Sequence, residues 1–260
     1  MMSNTIEIQQ DETVITIALN RPQRHNAMTP ELIEALTAVF QSINQREDIR
    51  VVVLTGNGRS FCAGADLSAM RAASDFSFAE NVADGERIFD LMYALDQCNK
   101  PVIGRINGAA IGGGVGLVSC CDIAIGVERA KFGLSEVRLG IVPAVISPFV
   151  LAKIGTGNGR ELFLTGERFS AQYAKQIGLL QHVVADEAAL DVKVSERIAH
   201  LLLAAPKAQT VAKELIRNVD GKPTHSVREY TTSLIAQRRA SDEGREGMGS
   251  FLEKRRPNWQ

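Results

Sequence analysis

The sequence predicts an α/β fold of stacked β-β-α turns that ends in a run of helices. Three observations predict it. Residues 51–72 and 101–121 repeat one form, an apolar strand followed by a glycine-rich turn and a helix. This weak internal repeat suits stacked β-β-α turns better than a plain doubly wound sheet. The strand at 51–55 is a continuous, mostly β-branched run, the composition of a strand covered on both faces. From residue 188 onward helix patterns succeed one another at 188–204, 206–218, 225–240 and 241–254, broken by Pro206, Gly221 and Pro223. The chain therefore divides into a core of residues 1–190 and a C-terminal helical region of 191–260.

Taken in order, residues 5–10 and 14–19 read as strands. In the second, Ile15, Ile17 and Leu19 alternate with Val14, Thr16 and Ala18, and Asp11-Glu12-Thr13 makes a hairpin turn between the two. The segment from Asn20-Arg21-Pro22 to Met28 is polar and punctuated by proline, hence a loop. Thr29-Pro30-Glu31 starts a helix: a capping hydroxyl, a proline suited to the first position, and an acid at the positive end of the dipole. Leu32, Ile33, Leu36, Val39, Phe40 and Ile43 then mark one buried face. Residues 68–83 are small, polar and weakly patterned, the profile of a mobile loop or loosely held helix bordering a site. Ile88, Phe89, Met92 and Leu95 mark a further helix, and residues 102–106 a strand. Residues 151–164 and 170–178 are helical by pattern, and 179–184 form another strand. Met248, Phe251 and Leu252 form an apolar patch too small for a core of its own, so the tail packs on the main body or on a neighbouring subunit.

Bulk properties exclude several classes. The 260 residues are 45% apolar and 23% charged, ordinary for a globular protein. A formal net charge of −1 provides no field for nucleic acid or acidic lipid. No apolar run approaches the ~20 residues needed to span a bilayer. The opening MMSNTIEIQQ has neither the basic nor the apolar region of a signal peptide. Cys62, Cys98, Cys120 and Cys121 lack C-x-x-C spacing and read as buried thiols, which fits a reducing cytoplasm. His25, His182, His200 and His225 are scattered, so no metal site is expected.

The central stretch, residues 101–141, carries Gly112, Gly113, Gly114 and Gly116 and the carboxylate Glu136. A dinucleotide fingerprint fails, because the third glycine would fall on Ser119 or Leu117; P-loop and serine-elbow motifs are absent. Glycine admits a backbone N–H close to a ligand, and a helix starting near Gly113 would aim free N–H groups at it. Close helix–strand packing is the alternative use of these glycines. Ala63-Gly64-Ala65 has the same small-residue character and is either a plain turn or a second donor segment. By period-2 logic Glu136 shares a strand face with Leu134. Buried there it would have a raised pKa and suit general acid–base work; paired with Arg138 or facing solvent it would not. Lys254-Arg255-Arg256 is either a solvated terminus or a phosphate contact.

Together these stretches resemble the crotonase family of enoyl-CoA hydratases and isomerases. The resemblance covers almost the whole chain: Leu19-Asn20-Arg21-Pro22 with Asn26-Ala27-Met28, Phe61 to Leu67, Asn107 to Gly114, Cys121-Asp122-Ile123-Ala124, and Phe132-Gly133-Leu134-Ser135-Glu136. It implies a spiral of β-β-α repeats with a C-terminal helical region, assembled as trimers or dimers of trimers. It implies that Ala65 and Gly113 donate backbone N–H groups to a thioester oxygen and that Glu136 moves the proton. It places coenzyme A against Arg24, Ala27, Ala63, Asp66 and Leu67, with Lys254 on its phosphates. No metal or redox cofactor is needed, since coenzyme A is part of the substrate. Many hydratases of the family carry a second glutamate, where this chain has Gly116. Residues 132–150, with Val142-Pro143-Ala144-Val145-Ile146-Ser147-Pro148, look most like bacterial methylglutaconyl-CoA hydratases of leucine breakdown. The expected function is hydration of a 2-enoyl-CoA. The alternatives are a Δ3,Δ2-enoyl-CoA isomerase using Glu136 alone, and a non-catalytic scaffold binding CoA esters or RNA.

Overall fold

The computed structural model describes residues 4–260, so the first three residues of the N-terminal stretch read for a signal segment lie outside it. β1 (Ile6–Asp11) and β2 (Val14–Leu19) form the expected antiparallel hairpin. Helix α1 (Pro30–Ile43) starts where the sequence says it should: the Thr29 hydroxyl accepts from the Leu32 N–H, and Leu32, Leu36, Phe40 and Ile43 are buried on one face. β3 (Val51–Gly56) is buried along its whole length.

Three β-β-α turns follow from β3. The first is β3, β4 (Ser60–Cys62) and the helices α2 (Leu67–Ala73) and α3 (Phe78–Asp96). The second is β5 (Val102–Ile106), β6 (Ala109–Ile111) and α4 (Gly113–Cys120). The third is β7 (Ile123–Val127), β8 (Lys131–Gly133) and α5 (Ser147–Thr165). The first strand of each turn joins a six-stranded sheet of order β1-β2-β3-β5-β7-β10, completed by β10 (His182–Val184); its pairs are parallel except β1 with β2. The second strand of each turn joins a four-stranded sheet, β4-β6-β8-β9, in which β9 (Arg168–Ser170) runs antiparallel to β8. Successive turns thus stack side by side. That stacking brings the carboxyl ends of β4, β6 and β8 together, although they lie far apart in sequence.

Two expectations are corrected. Residues 68–83 are not one loose segment: α2 occupies their first part, and α3 begins at Phe78, ten residues ahead of the pattern marked by Ile88. The cause is a capping box, in which the Ser77 hydroxyl and the Glu80 carboxylate satisfy each other's backbone N–H groups. Glu136 does not share a strand face with Leu134. β8 ends at Gly133, and Glu136 opens a short 3₁₀ turn that closes on Gly140.

After α6 (Ala171–Gln176) come α7 (Glu187–Leu203), α8 (Pro206–Val219), α9 (Arg228–Ala240) and α10 (Asp242–Leu252). α7 runs through residue 190, buries Leu190 and Val194, and packs on β3, β5, β7 and β10. The tail is anchored by polar clasps. Lys213 donates to Asp122 at 2.6 Å, Thr210 to the Asn99 carbonyl at 2.8 Å, and Arg50 to the carbonyls of Ala204 (2.6 Å) and Trp259 (2.8 Å). No helix of the described residues is long and apolar enough to cross a membrane.

Candidate active site

A cavity of about 340 Å³ opens where the carboxyl ends of β4, β6 and β8 converge. This is the end of a parallel sheet at which α/β folds bind ligands. Ala63, Ala65, Leu67, Gly113 and Glu136 all line it. The sequence therefore identified five residues that the stacking brings to one place.

Two residues of the lining, Ala65 and Gly113, have free backbone donors. The pairing of Met28 with Ala65 uses the Gly64 carbonyl, which accepts from the Met28 N–H at 2.7 Å, and the Asp66 N–H, which donates to the Met28 carbonyl at 3.0 Å. The Ala65 N–H between them has no partner among the described residues. Gly113 is the first residue of α4, so its N–H is one of the orphan donors of a helix start, and it too is unpartnered among the described residues. The two donors are close: a Cβ on Gly64 would lie 3.7 Å from the Gly113 nitrogen.

Glycine is required at two points here. Gly64 has φ +87°, and a Cβ on it would meet the Ile111 carbonyl oxygen at 2.7 Å. Gly112 has φ +52° and ψ −118°, a conformation that L side chains rarely adopt. Its α-carbon faces Glu136, whose Oε1 would sit 3.0 Å from a Cβ. Close packing, one of the two readings that the sequence left open for the glycine run, is thus observed at both positions.

Glu136 is the sole titratable side chain in the lining among the described residues. Its Oε2 is buried and has no hydrogen-bond partner. Arg138 is turned away, its Nε donating to the Thr165 carbonyl at 3.1 Å, so the ion pair considered from sequence does not form. Burial pushes the Glu136 carboxyl above the usual carboxylate range, with its own backbone N–H opposing weakly. The lining also includes the apolar side chains of Ile141, Val142, Val145 and Ile146. At the position of the family's second glutamate, a Cβ on Gly116 would meet Ile146 Cγ2 at 2.7 Å and Met92 Cε at 3.1 Å. Both side chains are buried, so this position is packed and not empty.

Four residues expected to contact coenzyme A lie outside the cavity lining. Arg24 ends an exposed 3₁₀ turn, and the Ala27 carbonyl accepts from Arg21. Asp66 caps α2 through the Ser68 N–H at 2.9 Å and pairs with Arg21 at 3.0 Å. Burial pushes its carboxyl up, but the Ser68 N–H and the Arg21 guanidinium outweigh this and hold it below the ordinary value. Lys254 follows α10 at the far C-terminal end. Sequence reasoning missed Met28, whose methyl packs on the bare α-carbon of Gly113 (a Cβ there would lie 2.1 Å from Met28 Cε), and missed Ile146. Neither carries a polar signal that could have marked it.

The fold and site define an enzyme class: two free amide donors beside a half-buried carboxylate with no ion-pair partner, in the lining of an apolar cavity. The chain belongs to the enoyl-CoA hydratase/isomerase family, whose pattern matches residues 9–260. It is 32% identical to the crotonyl-CoA hydratase of Syntrophomonas wolfei over 263 residues, 100% of this chain and 99% of that one. The crystal structure of an enoyl-CoA hydratase from Shewanella pealeana superposes with a TM-score of 0.95 at 37% identity, over 98% of this chain and 96% of that one. Pseudomonas aeruginosa AtuE superposes with a TM-score of 0.94 at 32% identity, over 98% and 99%.

Proposed function

We propose that this chain adds water across the double bond of a 2-enoyl-CoA thioester. The observation that carries the reading is the half-buried Glu136 carboxyl, with a buried Oε2 that has no hydrogen-bond partner, lying against Gly112, one residue from the free Gly113 N–H. The Ala65 and Gly113 N–H groups donate to the thioester oxygen, where negative charge develops in the transition state; one such donor is typically worth ~10²–10³ in rate. Ionised Glu136 takes a proton from water as the hydroxyl bonds to the β-carbon and the π electrons move onto the thioester. The carboxylic acid then returns that proton to the α-carbon, and the carbonyl re-forms. With Gly116 covered by Ile146, Glu136 performs both transfers in turn.

For the acyl group we propose methylglutaconyl, supported by the run from Val142 to Pro148. Among the described residues no cationic side chain lines the cavity, so the distal carboxylate stays hydrated at the mouth, where Leu67, Leu139 and Val142 are exposed. Packing over Gly116 also favours a second reading, isomerisation by Glu136 alone, which needs no water. Incubating the protein with 2-enoyl-CoA and 3-enoyl-CoA esters in oxygen-18 water tests both. Labelled 3-hydroxyacyl-CoA supports hydration, double-bond migration without label supports isomerisation, and binding without turnover leaves a scaffold. Running the same assay with and without a distal carboxylate tests the acyl group.

We also propose a trimer or dimer of trimers in a cytoplasmic, reducing setting. In support, Met248, Phe251 and Leu252 of α10 are exposed and α8 buries no residue, while all four cysteines are free and buried. A monomer in sedimentation at micromolar concentration would contradict the assembly.

A further inference from the structure

We propose that Arg21 is a positioning residue whose guanidinium aims the Ala65 N–H by tying Asp66 to the Ala27 carbonyl. This rests on the reading of Ala65 as a thioester donor. Arg21 Nη1 donates to the Ala27 carbonyl at 2.5 Å and to Asp66 Oδ2 at 3.0 Å. Ala27 precedes Met28, and Asp66 follows Ala65, so one guanidinium staples the end of the two-bond pairing between Met28 and the Gly64–Asp66 segment.

The staple matters because of peptide geometry. In a trans peptide the carbonyl oxygen and the amide hydrogen point in opposite directions in one plane. The Gly64 carbonyl is fixed on the Met28 N–H, which fixes the Ala65 N–H of the same peptide to point away from Met28. Arg21 holds that arrangement from both strands. It reaches the second donor as well, since the Met28 methyl packs on the Gly113 α-carbon. The pair is shielded, with the Arg21 side chain 19% and the Asp66 side chain 11% exposed, so it acts in low dielectric and not as a screened surface contact.

The Arg21 backbone is itself anchored. Its N–H donates to Asn26 Oδ1 at 2.9 Å, and its carbonyl accepts from Arg24 and Asn26. Asn26, fully buried, passes on two bonds of 2.9 Å to the Asn57 and Ser60 carbonyls. Neither Arg21 nor Asp66 lines the cavity, so neither touches the reacting atoms.

The test is isotope-edited infrared spectroscopy of a carbon-13 thioester carbonyl bound to the full chain, in a Glu136→Gln background that leaves the ester intact. The parent is expected to lower the carbonyl stretch. Arg21→Lys, which keeps the charge but loses the fork, and Asp66→Asn, the second variant should Arg21 changes prevent folding, are each expected to lose at least half of that lowering. Ester affinity should stay within about threefold, because the donors act mainly on the transition state. With Glu136 restored, kcat should fall about tenfold at nearly constant KM. An unchanged carbonyl shift in either folded variant, whatever its melting temperature, would show that the pair only stabilises the loop and would overturn the proposal. No lowering in the parent itself would instead overturn the donor reading, and this proposal with it.

Discussion

The bare α-carbon of Gly112 faces the Glu136 carboxylate, with Oε1 only 3.0 Å from where a Cβ would stand. This contact joins the two halves of the site. The residue before the α4 donor and the residue that opens the 3₁₀ turn after β8 come together because β6 and β8 are neighbours, and the Gly112 N–H donates to the Gly133 carbonyl at 2.8 Å. Gly112→Ala would add a Cβ against the carboxylate at a backbone conformation that strains any L residue. It should destabilise the fold by about 1–2 kcal/mol and lower kcat by displacing Glu136. Thermal melting and steady-state kinetics check this together.

Gly113 offers a cleaner separation of donor from packing. Gly113→Ala keeps the N–H but crowds the Met28 methyl, while Gly113→Pro imposes a Cβ too and removes the donor at a helix position that tolerates proline. The proline variant should turn over ~10²–10³-fold more slowly than the alanine variant, with ester binding nearly equal. Equal turnover of the two would make Gly113 a packing residue.

Gly116→Glu will not simply restore a second carboxylate. Its Cβ would meet Ile146 and Met92, both buried, and the carboxylate would enter an apolar contact. Overpacking of this kind costs about 1–3 kcal/mol before the charge is counted. The single variant is therefore expected to melt lower and to gain no hydration activity. Adding Ile146→Ala should recover part of the stability by opening space for the new side chain.

Glu136 sets a pH dependence of stability. Burial raises its folded pKa, so the folded chain holds this proton more tightly than the unfolded chain does. The contribution favours folding below the ordinary Glu pKa and is lost as pH rises through the raised one. Glu136→Gln removes the penalty, so the variant should melt higher than the parent near neutral pH, with the gap closing toward roughly pH 4. In the parent, the acid limb of kcat/KM should sit above the ordinary carboxylate range for the same reason.

Much of this was legible in the chain because it rests on local chemistry. Thr29-Pro30 marked α1, the β-branched run at 51–55 marked the fully buried β3, and the glycines placed the start of α4 at Gly113. The repeat of strand, turn and helix announced the stacking that aligns Ala65 with Gly113. The rest depends on tertiary neighbours. The early start of α3 hung on a reciprocal cap, and the 3₁₀ turn at Glu136 mimicked a strand alternation. Asp66 looked like a ligand contact, but its carboxylate is taken up by Ser68 and Arg21, the latter 45 residues away. The packing over Gly116 comes from Ile146, a residue with no mark of function in a one-dimensional reading.

The central claim is that one carboxylate moves the proton, and turnover of Glu136→Gln tests it most directly. Glutamine is nearly isosteric but cannot serve as a base, and no other titratable side chain lines the cavity among the described residues. Measured against 2-enoyl-CoA esters with a folded, ester-binding variant, the loss should be ~10²–10⁴-fold. Retention of more than about a tenth of the parent rate would contradict general acid–base catalysis by Glu136.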